Sequence, residues 1–228
     1  MSTRGVLTRS YKVRAKYTDR PMTDRLVDAT LHAFSEDLAS DRPVPGGGSA
    51  AAYAGAMGAA LAAMVLRISA RKAADPLTER IRQLDDLRAD FIRLVDDDSA
   101  AFARVAEAYK MPRSTDEEKD ARKRRIQAGL LGAARVPLEC AKTARRLLDA
   151  CDRSLEIASP ATVSDIGVGA LMAETALRGA ALNVMINLAS LDDAGQVKAL
   201  SEELDRALDG GDDLRARILQ FVESRIAR

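Results

Sequence analysis

The sequence predicts an all-α fold, a multihelical bundle built around a central helix rich in alanine and glycine. Of the 228 residues, 42 are alanine, only 4% are aromatic and none is tryptophan. A core with so much alanine brings backbones close together, which suits packed helices better than sheets. No segment shows the alternation of apolar and polar residues that predicts a half-buried strand. With 47% hydrophobic residues, the chain can bury one sizeable core.

The first two predicted helices flank a loop rich in proline and glycine. Residues 23–39 carry apolar side chains at helical spacing, which predicts an amphipathic helix. Residues 41–48 contain two prolines and three glycines and end that helix. A second helix is expected to begin at Ser49 or at the glycines before it and to run to about Arg71. Residues 46–66 are uncharged, but alanine and glycine insert poorly into a bilayer, so we expect a buried central helix and no membrane span.

Two long helices are expected next. Residues 76–109 continue the helical spacing of apolar side chains. Thr115 and Glu118 have the spacing of a capping box, which predicts the start of a helix that reaches about residue 151.

The last part of the chain is also predicted to be helical. A loop is expected at residues 159–160, and Ser164 is a natural N-cap for a helix over residues 165–191. A final helix is expected over residues 196–227, with an interruption at the two glycines 210–211.

Charge is distributed unevenly along the chain, although its net value is only +1. Residues 1–21 contain six Lys or Arg and one acid, whereas the remainder contains 29 bases and 33 acids. A mildly acidic body lacks the basic stripe of a nucleic-acid-binding protein, so we expect no nucleic-acid partner. Residues 1–21 lack the apolar segment of a secretory signal. We expect them to be a basic, disordered leader before one domain at residues 22–228, with a targeting peptide as the alternative.

The cysteines and the single histidine limit the available chemistry. Cys140 and Cys151 fall in one predicted helix, about 16 Å apart, which is beyond the reach of a disulfide. Free thiols indicate a reducing compartment, and we expect the cytoplasm. His32 with two distant cysteines cannot form a standard zinc site. We therefore expect no metal, and we expect Asp, Glu or Lys side chains to act as the general acid or base.

The first candidate binding feature is the glycine-rich segment before the central helix. Gly46, Gly47, Gly48 and Ser49 expose backbone N–H groups at a helix start, a combination that binds carboxylate or phosphate. No lysine follows the glycines as in a P-loop. A simple helix-capping turn is the competing interpretation.

Charged residues supply two further candidates. Arg71 and Lys72, at the other end of the central helix, can hold an anion, and a desolvated Lys72 can act as an acid or base. Their competing role is to complement the helix dipole. Asp98 is the last of three successive acids and lies four residues from Leu94 and from Phe102, so it shares their apolar stripe. A carboxylate on a buried stripe needs a partner or a function.

Polar residues on a later helix complete the candidates. Ser164 and Asp165 can be explained by helix capping alone. Asn183 and Asn187 lie four residues apart on one face of an otherwise apolar helix. Their amides need hydrogen-bond partners, either in a contact between helices or in a bound ligand.

An ordered series of motifs runs along most of the chain. It comprises Pro43-Val-Pro-Gly-Gly-Gly-Ser-Ala-Ala-Ala52, Gly55-Ala-Met-Gly-Ala-Ala-Leu-Ala-Ala-Met-Val65, Asp98-Ser-Ala-Ala-Phe102, Met111-Pro-Arg-Ser-Thr-Asp-Glu-Glu-Lys119 with Arg122, Val136-Pro137, Ser164-Asp-Ile-Gly-Val168 and Ala180-Ala-Leu-Asn-Val-Met-Ile-Asn187. Over about residues 24–226 the series resembles the cyclodeaminase/cyclohydrolase family. That family includes the cyclodeaminase half of formiminotransferase-cyclodeaminase and stand-alone bacterial methenyltetrahydrofolate cyclohydrolases.

The resemblance implies an all-helical homodimer that binds a reduced folate, with one or more glutamates on its tail. It implies no cofactor beyond the tetrahydrofolate substrate. The matching motifs place the pocket at the candidates named above: Gly46, Gly47, Gly48, Ser49, Arg71, Lys72, Asp98, Ser164, Asp165, Asn183 and Asn187. In the leading hypothesis, a methenyltetrahydrofolate cyclohydrolase, Asp98 or Asp165 helps to deprotonate the attacking water. Lys72 orients that water or stabilises the oxygen of the tetrahedral adduct, and the glutamate tail meets Arg71 or the glycine amides.

Two alternatives follow from the same resemblance. A formiminotetrahydrofolate cyclodeaminase uses the same pocket and releases ammonia. A helical dimer that binds folate or a protein without catalysis is the other alternative. It is motivated by Ala70 and by Ala158-Ser159, where relatives tend to carry Gly and Gly-Asn respectively.

Overall fold

Seven α-helices carry the fold within residues 25–71 and 77–227, the part of the chain that this computed structural model describes. After a 3₁₀ turn at Leu26–Asp28, the helices are α1 (Leu31–Leu38), α2 (Gly47–Ala70), α3 (Thr78–Lys110), α4 (Asp116–Ser154), α5 (Val163–Leu188), α6 (Ala194–Leu208) and α7 (Gly211–Ile226). These residues contain no strand, and the all-α prediction is confirmed. The predicted leader and Lys72 lie outside the described residues.

Helices α2 to α5 form an up-and-down four-helix core. Helix α2 packs against α3 and α5, and α4 completes the square by packing against the same two helices. Neighbours in this square run antiparallel: the start of α2 lies beside the middle of α3 and the end of α5. Helix α6 packs on α4, and α7 packs on α5.

Small residues let α2 approach its neighbours closely. A Cβ on Gly55 would lie 2.4 Å from the Phe91 ring, and a Cβ on Gly58 would lie 2.8 Å from the Gly169 carbonyl oxygen. Among the described helices, α2 alone has the length and hydropathy of a membrane span, but 67% of its most apolar window is buried inside the protein. The prediction of a buried central helix is confirmed.

Both cysteines lie unpaired in the core, on helix α4. Burial raises the pKa of the Cys140 and Cys151 thiols to about 12. They therefore stay protonated and serve as small apolar side chains.

The predicted helix over residues 23–39 is wrong in its first half. The chain turns at Leu26–Asp28, and α1 starts only after Thr30, whose side chain accepts a hydrogen bond from the Ala33 N–H. The turn is held by α3, because Asp96 accepts the Leu26 N–H at 2.7 Å. The hydrogen bond to Asp96 and the cap at Thr30 therefore interrupt a segment that the apolar spacing alone predicts to be one helix.

One other helix boundary differs from the prediction, and two predicted features agree with the structure. Helix α5 begins at Val163 after Thr162, so Ser164 lies inside the first turn and is not the N-cap. The interruption expected at residues 210–211 is present and separates α6 from α7, because Gly210 adopts a left-handed conformation (φ 65°) and is the N-cap of α7. The predicted capping box at Thr115 is confirmed.

Candidate functional site

The candidate site lies where the N-terminus of α2 meets the middle of α3. Asp98 Oδ2 accepts hydrogen bonds from the Ser49 N–H at 2.9 Å and from the Ser49 hydroxyl at 3.1 Å. The same hydroxyl lies 2.9 Å from the Val95 carbonyl oxygen and 3.2 Å from the Ser99 hydroxyl. The carboxylate therefore caps the first turn of α2, where unpaired N–H groups and the helix dipole favour an anion.

Burial changes the acid–base behaviour of Asp98. Burial raises its pKa above the ordinary value because it disfavours the charged form, and the two Ser49 hydrogen bonds offset this effect only in part. Among the described residues, Oδ1 has no hydrogen-bond donor. A carboxylate with a raised pKa and one available oxygen can accept a proton and return it.

The three glycines before Ser49 have different surroundings. A Cβ on Gly48 would lie 2.1 Å from Asp98 Oδ1, and a Cβ on Gly47 would lie 3.4 Å from Asn183 Nδ2. A Cβ on Gly46 would meet nothing within 4 Å. Glycine is thus required at position 48 by the close approach of the carboxylate. The predicted anion site is partly filled by the protein's own Asp98, and binding of an external anion there stays a prediction.

The contrast between Gly48 and Gly46 gives a matched pair of variants. We expect Gly48→Ala to lower the free energy of unfolding by about 1–3 kcal/mol, because the new methyl group displaces the Asp98 carboxylate. Gly46→Ala has open space and an extended backbone (φ −125°, ψ −163°), so its stability should stay within about 0.5 kcal/mol of wild type. Urea denaturation measures both variants, and equal midpoints would contradict the close contact.

Asn183 and Asn187 direct their amide groups into the helix packing. Asn183 Nδ2 donates to the Gly179 carbonyl at 2.8 Å. Asn187 Nδ2 donates to the Asn183 carbonyl at 2.7 Å and to the Ala133 carbonyl of α4 at 3.2 Å. The Ala133 carbonyl lacks its helical donor because Pro137, four residues later, has no N–H. Asn187 supplies the missing hydrogen bond.

The amide nitrogen of Asn183 donates within its own helix, whereas that of Asn187 also donates to a neighbouring helix. A contact between helices, one of the two interpretations left open by the sequence, accounts for the amide nitrogen of Asn187. Both Oδ1 atoms have no hydrogen-bond donor among the described residues. Ligand binding by these oxygens stays a prediction.

The compensation between Pro137 and Asn187 can be measured by a double-mutant cycle. We expect Asn187→Ala to cost about 1–3 kcal/mol of stability, because it leaves the Ala133 carbonyl without a donor. In a Pro137→Ala background, the N–H of residue 137 can bond that carbonyl, so the same change should cost less. Urea denaturation of the four proteins tests the coupling, and strictly additive effects would contradict it.

Other predicted site residues lie at the opposite end of α2. Helices α2 and α5 are antiparallel, since Gly47 lies beside Asn183 whereas Gly58 lies beside Gly169. Arg71 is the exposed C-cap of α2. A helix of 24 residues spans about 36 Å, so Arg71 is far from the Asp98 site of the same chain.

Ser164 and Asp165 lie at this second end as well, in the first turn of α5. The helical rise places Asp165 about 27 Å along α5 from Asn183. A cavity of about 600 Å³ opens near this end and is lined in part by Arg80, Arg153 and Arg217. The structure therefore divides the predicted residues of one chain into two groups. Lys72, which follows Arg71 in the sequence, is outside the described residues.

Sequence reasoning missed two features of the Asp98 site. Ser99 contributes a hydroxyl to the network at Ser49, and its only signal was its place directly after Asp98. Phe102 was expected on the buried stripe with Leu94. Leu94 is buried, but Phe102 is 45% exposed. The reason is that α2 begins opposite Asp98, so it does not cover α3 beyond this point.

Comparisons with known proteins show which family this chain is similar to. A family model described as formiminotransferase-cyclodeaminase matches residues 30–206. The chain is 39% identical over 202 residues to the methenyltetrahydrofolate cyclohydrolase of Methylorubrum extorquens. The aligned region covers 86% of this chain and 97% of that protein. The chain is also 36% identical over 173 residues to the formimidoyltransferase-cyclodeaminase of Rattus norvegicus. This aligned region covers 74% of this chain but 32% of the rat protein.

A solved structure shows the same fold. The crystal structure of formiminotetrahydrofolate cyclodeaminase from Thermotoga maritima superimposes with a TM-score of 0.76 at 28% identity. The match covers 86% of this chain and 97% of that chain.

Proposed function

The chain belongs to the formiminotransferase-cyclodeaminase family, a family of folate one-carbon enzymes, and we propose that it is a methenyltetrahydrofolate cyclohydrolase. The reaction converts 5,10-methenyltetrahydrofolate to 10-formyltetrahydrofolate. The observation that carries this proposal is the Asp98 carboxylate, which has a raised pKa at the glycine-rich start of α2. The similarity to the Methylorubrum cyclohydrolase over 97% of that protein supports the same reaction.

The proposed chemistry needs a proton acceptor beside a cationic substrate. The bridging carbon of the substrate is part of an amidinium cation and is already electrophilic. Asp98 accepts a proton from water as the water oxygen bonds to this carbon. The C–N5 bond then breaks, N5 receives that proton, and the remaining hydroxyl proton goes to solvent as the formyl group forms. Lys72 stabilises the oxygen of the adduct.

We propose no cofactor beyond the tetrahydrofolate substrate, because this mechanism requires no Lewis acid. Among the described residues, no three His, Cys, Asp or Glu side chains lie together as metal ligands. We also propose that the enzyme works in the cytoplasm, where unpaired thiols such as Cys140 and Cys151 persist.

We propose that the enzyme is a homodimer and that each active site uses both subunits. Helices α2 and α5 expose a continuous apolar face, the α2–α5 face, formed by Met57, Met64, Ile68, Val168, Leu171 and Leu182, which are between 37% and 67% exposed. Exposed apolar patches of this kind mark protein interfaces. A two-fold axis perpendicular to α2 would pack two such faces antiparallel. The Asp98 end of one subunit would then meet the Arg71 and Asp165 end of its partner.

Two measurements test these proposals. Purified protein is mixed with 5,10-methenyltetrahydrofolate, and the loss of the ultraviolet chromophore is followed after spontaneous hydrolysis is subtracted. Saturable, protein-dependent loss is expected. If the protein does not accelerate this loss, the cyclohydrolase proposal is wrong and a non-catalytic folate binder becomes the leading hypothesis.

Light scattering should give twice the chain mass, and a monomer that persists at all concentrations would contradict the dimer.

A cyclodeaminase is the second candidate, and the Thermotoga structure favours it. In that reaction a folate nitrogen attacks the formimino carbon and ammonia leaves after protonation. A buried carboxyl such as Asp98 can supply that proton. Release of ammonia from formiminotetrahydrofolate, compared with the cyclohydrolase rate on the same preparation, separates the two activities.

A further inference from the structure

The buried hydroxyl group of Ser49 has more hydrogen-bond acceptors around it than it has protons to donate. Its Oγ lies 2.9 Å from the Val95 carbonyl oxygen, 3.1 Å from Asp98 Oδ2 and 3.2 Å from the Ser99 hydroxyl. A serine hydroxyl donates one proton and accepts through its lone pairs. It can therefore donate to one of these oxygens at a time, and rotation about its Cβ–Oγ bond changes the partner.

This set of acceptors suits both protonation states of Asp98. When Asp98 is ionised, the Ser49 hydroxyl donates to Oδ2, and the Ser99 hydroxyl can donate to the Ser49 oxygen. When Asp98 is protonated, the Ser49 hydroxyl can turn to the Val95 carbonyl. The buried hydroxyl keeps an acceptor in each state, so proton transfer leaves it satisfied throughout.

The backbone N–H of Ser49 favours one oxygen of Asp98 as the site of the proton. An N–H group can only donate, and this one lies 2.9 Å from Oδ2. Oδ2 must stay an acceptor if the hydrogen bond is to persist in the protonated state. Oδ1 lies beside Gly48 and has no donor among the described residues. The proton is therefore favoured on Oδ1.

Within the described residues, the neighbours of Asp98 on other helices are uncharged. Helix α2 presents Gly48 and Ser49 to the carboxylate. Helix α4 presents the Cys140 thiol, whose pKa is raised to about 12 by burial and by the nearby Asp98 charge, so that it stays neutral. On α3, the two acids before Asp98 pair with arginines at the surface. Ser49 is thus the group that balances burial at Asp98.

From this geometry we infer that Ser49 is a positioning residue of the proposed reaction: it holds Oδ2 as an acceptor, so that Asp98 takes the proton from water and returns it to N5 through Oδ1. The inference rests on the proposed function, in which Asp98 is the proton acceptor. In this scheme Ser49 touches neither the water nor the folate. Its hydroxyl stabilises the ionised carboxylate and turns away once the proton arrives. A residue that only caps α2 would not respond to the protonation of Asp98.

The pH profile of kcat/KM tests the role of the Ser49 hydroxyl. Ser49→Ala removes a donor to the ionised carboxylate, so the pKa that governs the acidic side of the profile should rise by about 1. Ser49→Thr keeps the hydroxyl and should keep the wild-type profile, although its added methyl group lowers stability. Ser154→Ala is the control, because Ser154 is also buried but donates to the Ala150 carbonyl at 2.7 Å. It should lower stability without moving the profile.

The pKa of Asp98 can also be measured without turnover. Protein labelled with ¹³C at its aspartate carboxyl carbons is titrated by NMR, and the Asp98 signal is the one that Asp98→Asn removes. Ser49→Ala should raise this pKa by the same amount, and Ser154→Ala should not. A pKa that Ser49→Ala leaves unchanged, in protein that hydrolyses the substrate, would overturn the positioning role alone. A pKa that rises in protein without any hydrolysis would overturn the proposed reaction and keep the control of Asp98 by Ser49.

Hydrogen exchange in the wild type tests which oxygen holds the proton. The Ser49 N–H should stay protected from exchange at pH values above and below the pKa of Asp98, because its hydrogen bond to Oδ2 is kept in both states. Protection that is lost when Asp98 becomes protonated would place the proton on Oδ2 and overturn the inference.

Discussion

Replacing Asp98 by Asn should lower kcat by about 10²–10⁴-fold, the usual contribution of a general acid or base. The change keeps the shape of the side chain, and an amide oxygen can still accept the hydrogen bond from the Ser49 N–H. It removes the negative charge and the ability to hold a proton. Asp97→Asn is the matched control, since Asp97 is the adjacent acid and pairs with Arg93 on the surface. The control should keep its rate within about twofold. Full turnover by Asp98→Asn would remove Asp98 from the mechanism.

The pH dependence supplies a second test of Asp98. Because its pKa is raised, kcat/KM of the wild type should fall with decreasing pH at a higher pH than an ordinary aspartate would give. The free energy of unfolding should change with pH in the opposite direction, decreasing as the pH rises. The folded protein holds this proton more tightly than the unfolded chain, so the stability from the protonated form is present below the ordinary pKa and is lost as pH rises through the raised pKa. Asp98→Asn should therefore unfold at a higher temperature than wild type at neutral pH, and at a similar temperature in acid.

Mixing two inactive variants should restore activity if each site uses both subunits. Asp98→Asn and Lys72→Ala are each expected to lose at least about 100-fold in rate. In a shared site, one of the two sites of a mixed dimer carries both changes and the other carries neither. Subunits that re-associate at random give half mixed dimers, so about a quarter of the wild-type activity should return.

The controls for this experiment are the two variants treated separately. Each is dissociated and re-associated alone and should stay inactive. Dimers should form to the same extent in all samples, as judged by light scattering. A mixture that contains mixed dimers but shows no recovered activity would contradict the shared site and leave the dimer itself unaffected.

The sequence predicts much of this fold because its strongest signals are local. Thr115 and Glu118 form the expected capping box, and the uncharged run after Gly46 forms the expected central helix. The errors occur where a distant residue decides the outcome. Asp96 holds the turn at Leu26, and no local pattern reveals this contact between residues 70 positions apart.

The candidate site was predictable in its residues and less so in its arrangement. Asp98 stood out because a carboxylate interrupted an apolar stripe, and it does lean inward beside Gly48. The separation of Asp98 from Asp165 depends on the antiparallel pairing of α2 and α5, which motif order along the chain does not encode. The exposure of Phe102 depends on where α2 begins relative to α3, which is also a matter of tertiary structure.

Helix α2 runs without interruption between two ends that both carry candidate site residues, so its length is constrained as well as its composition. Each inserted residue adds about 1.5 Å and turns one end by about 100° relative to the other. A single insertion after Gly58 would therefore rotate Arg71 away from its present direction, while Gly48 stayed against Asp98. An insertion of two full turns, about seven residues, would restore the direction but increase the distance between the two ends by about 10 Å. Insertions and deletions should thus be tolerated between α6 and α7, and should be excluded from α2 in any active form of this enzyme.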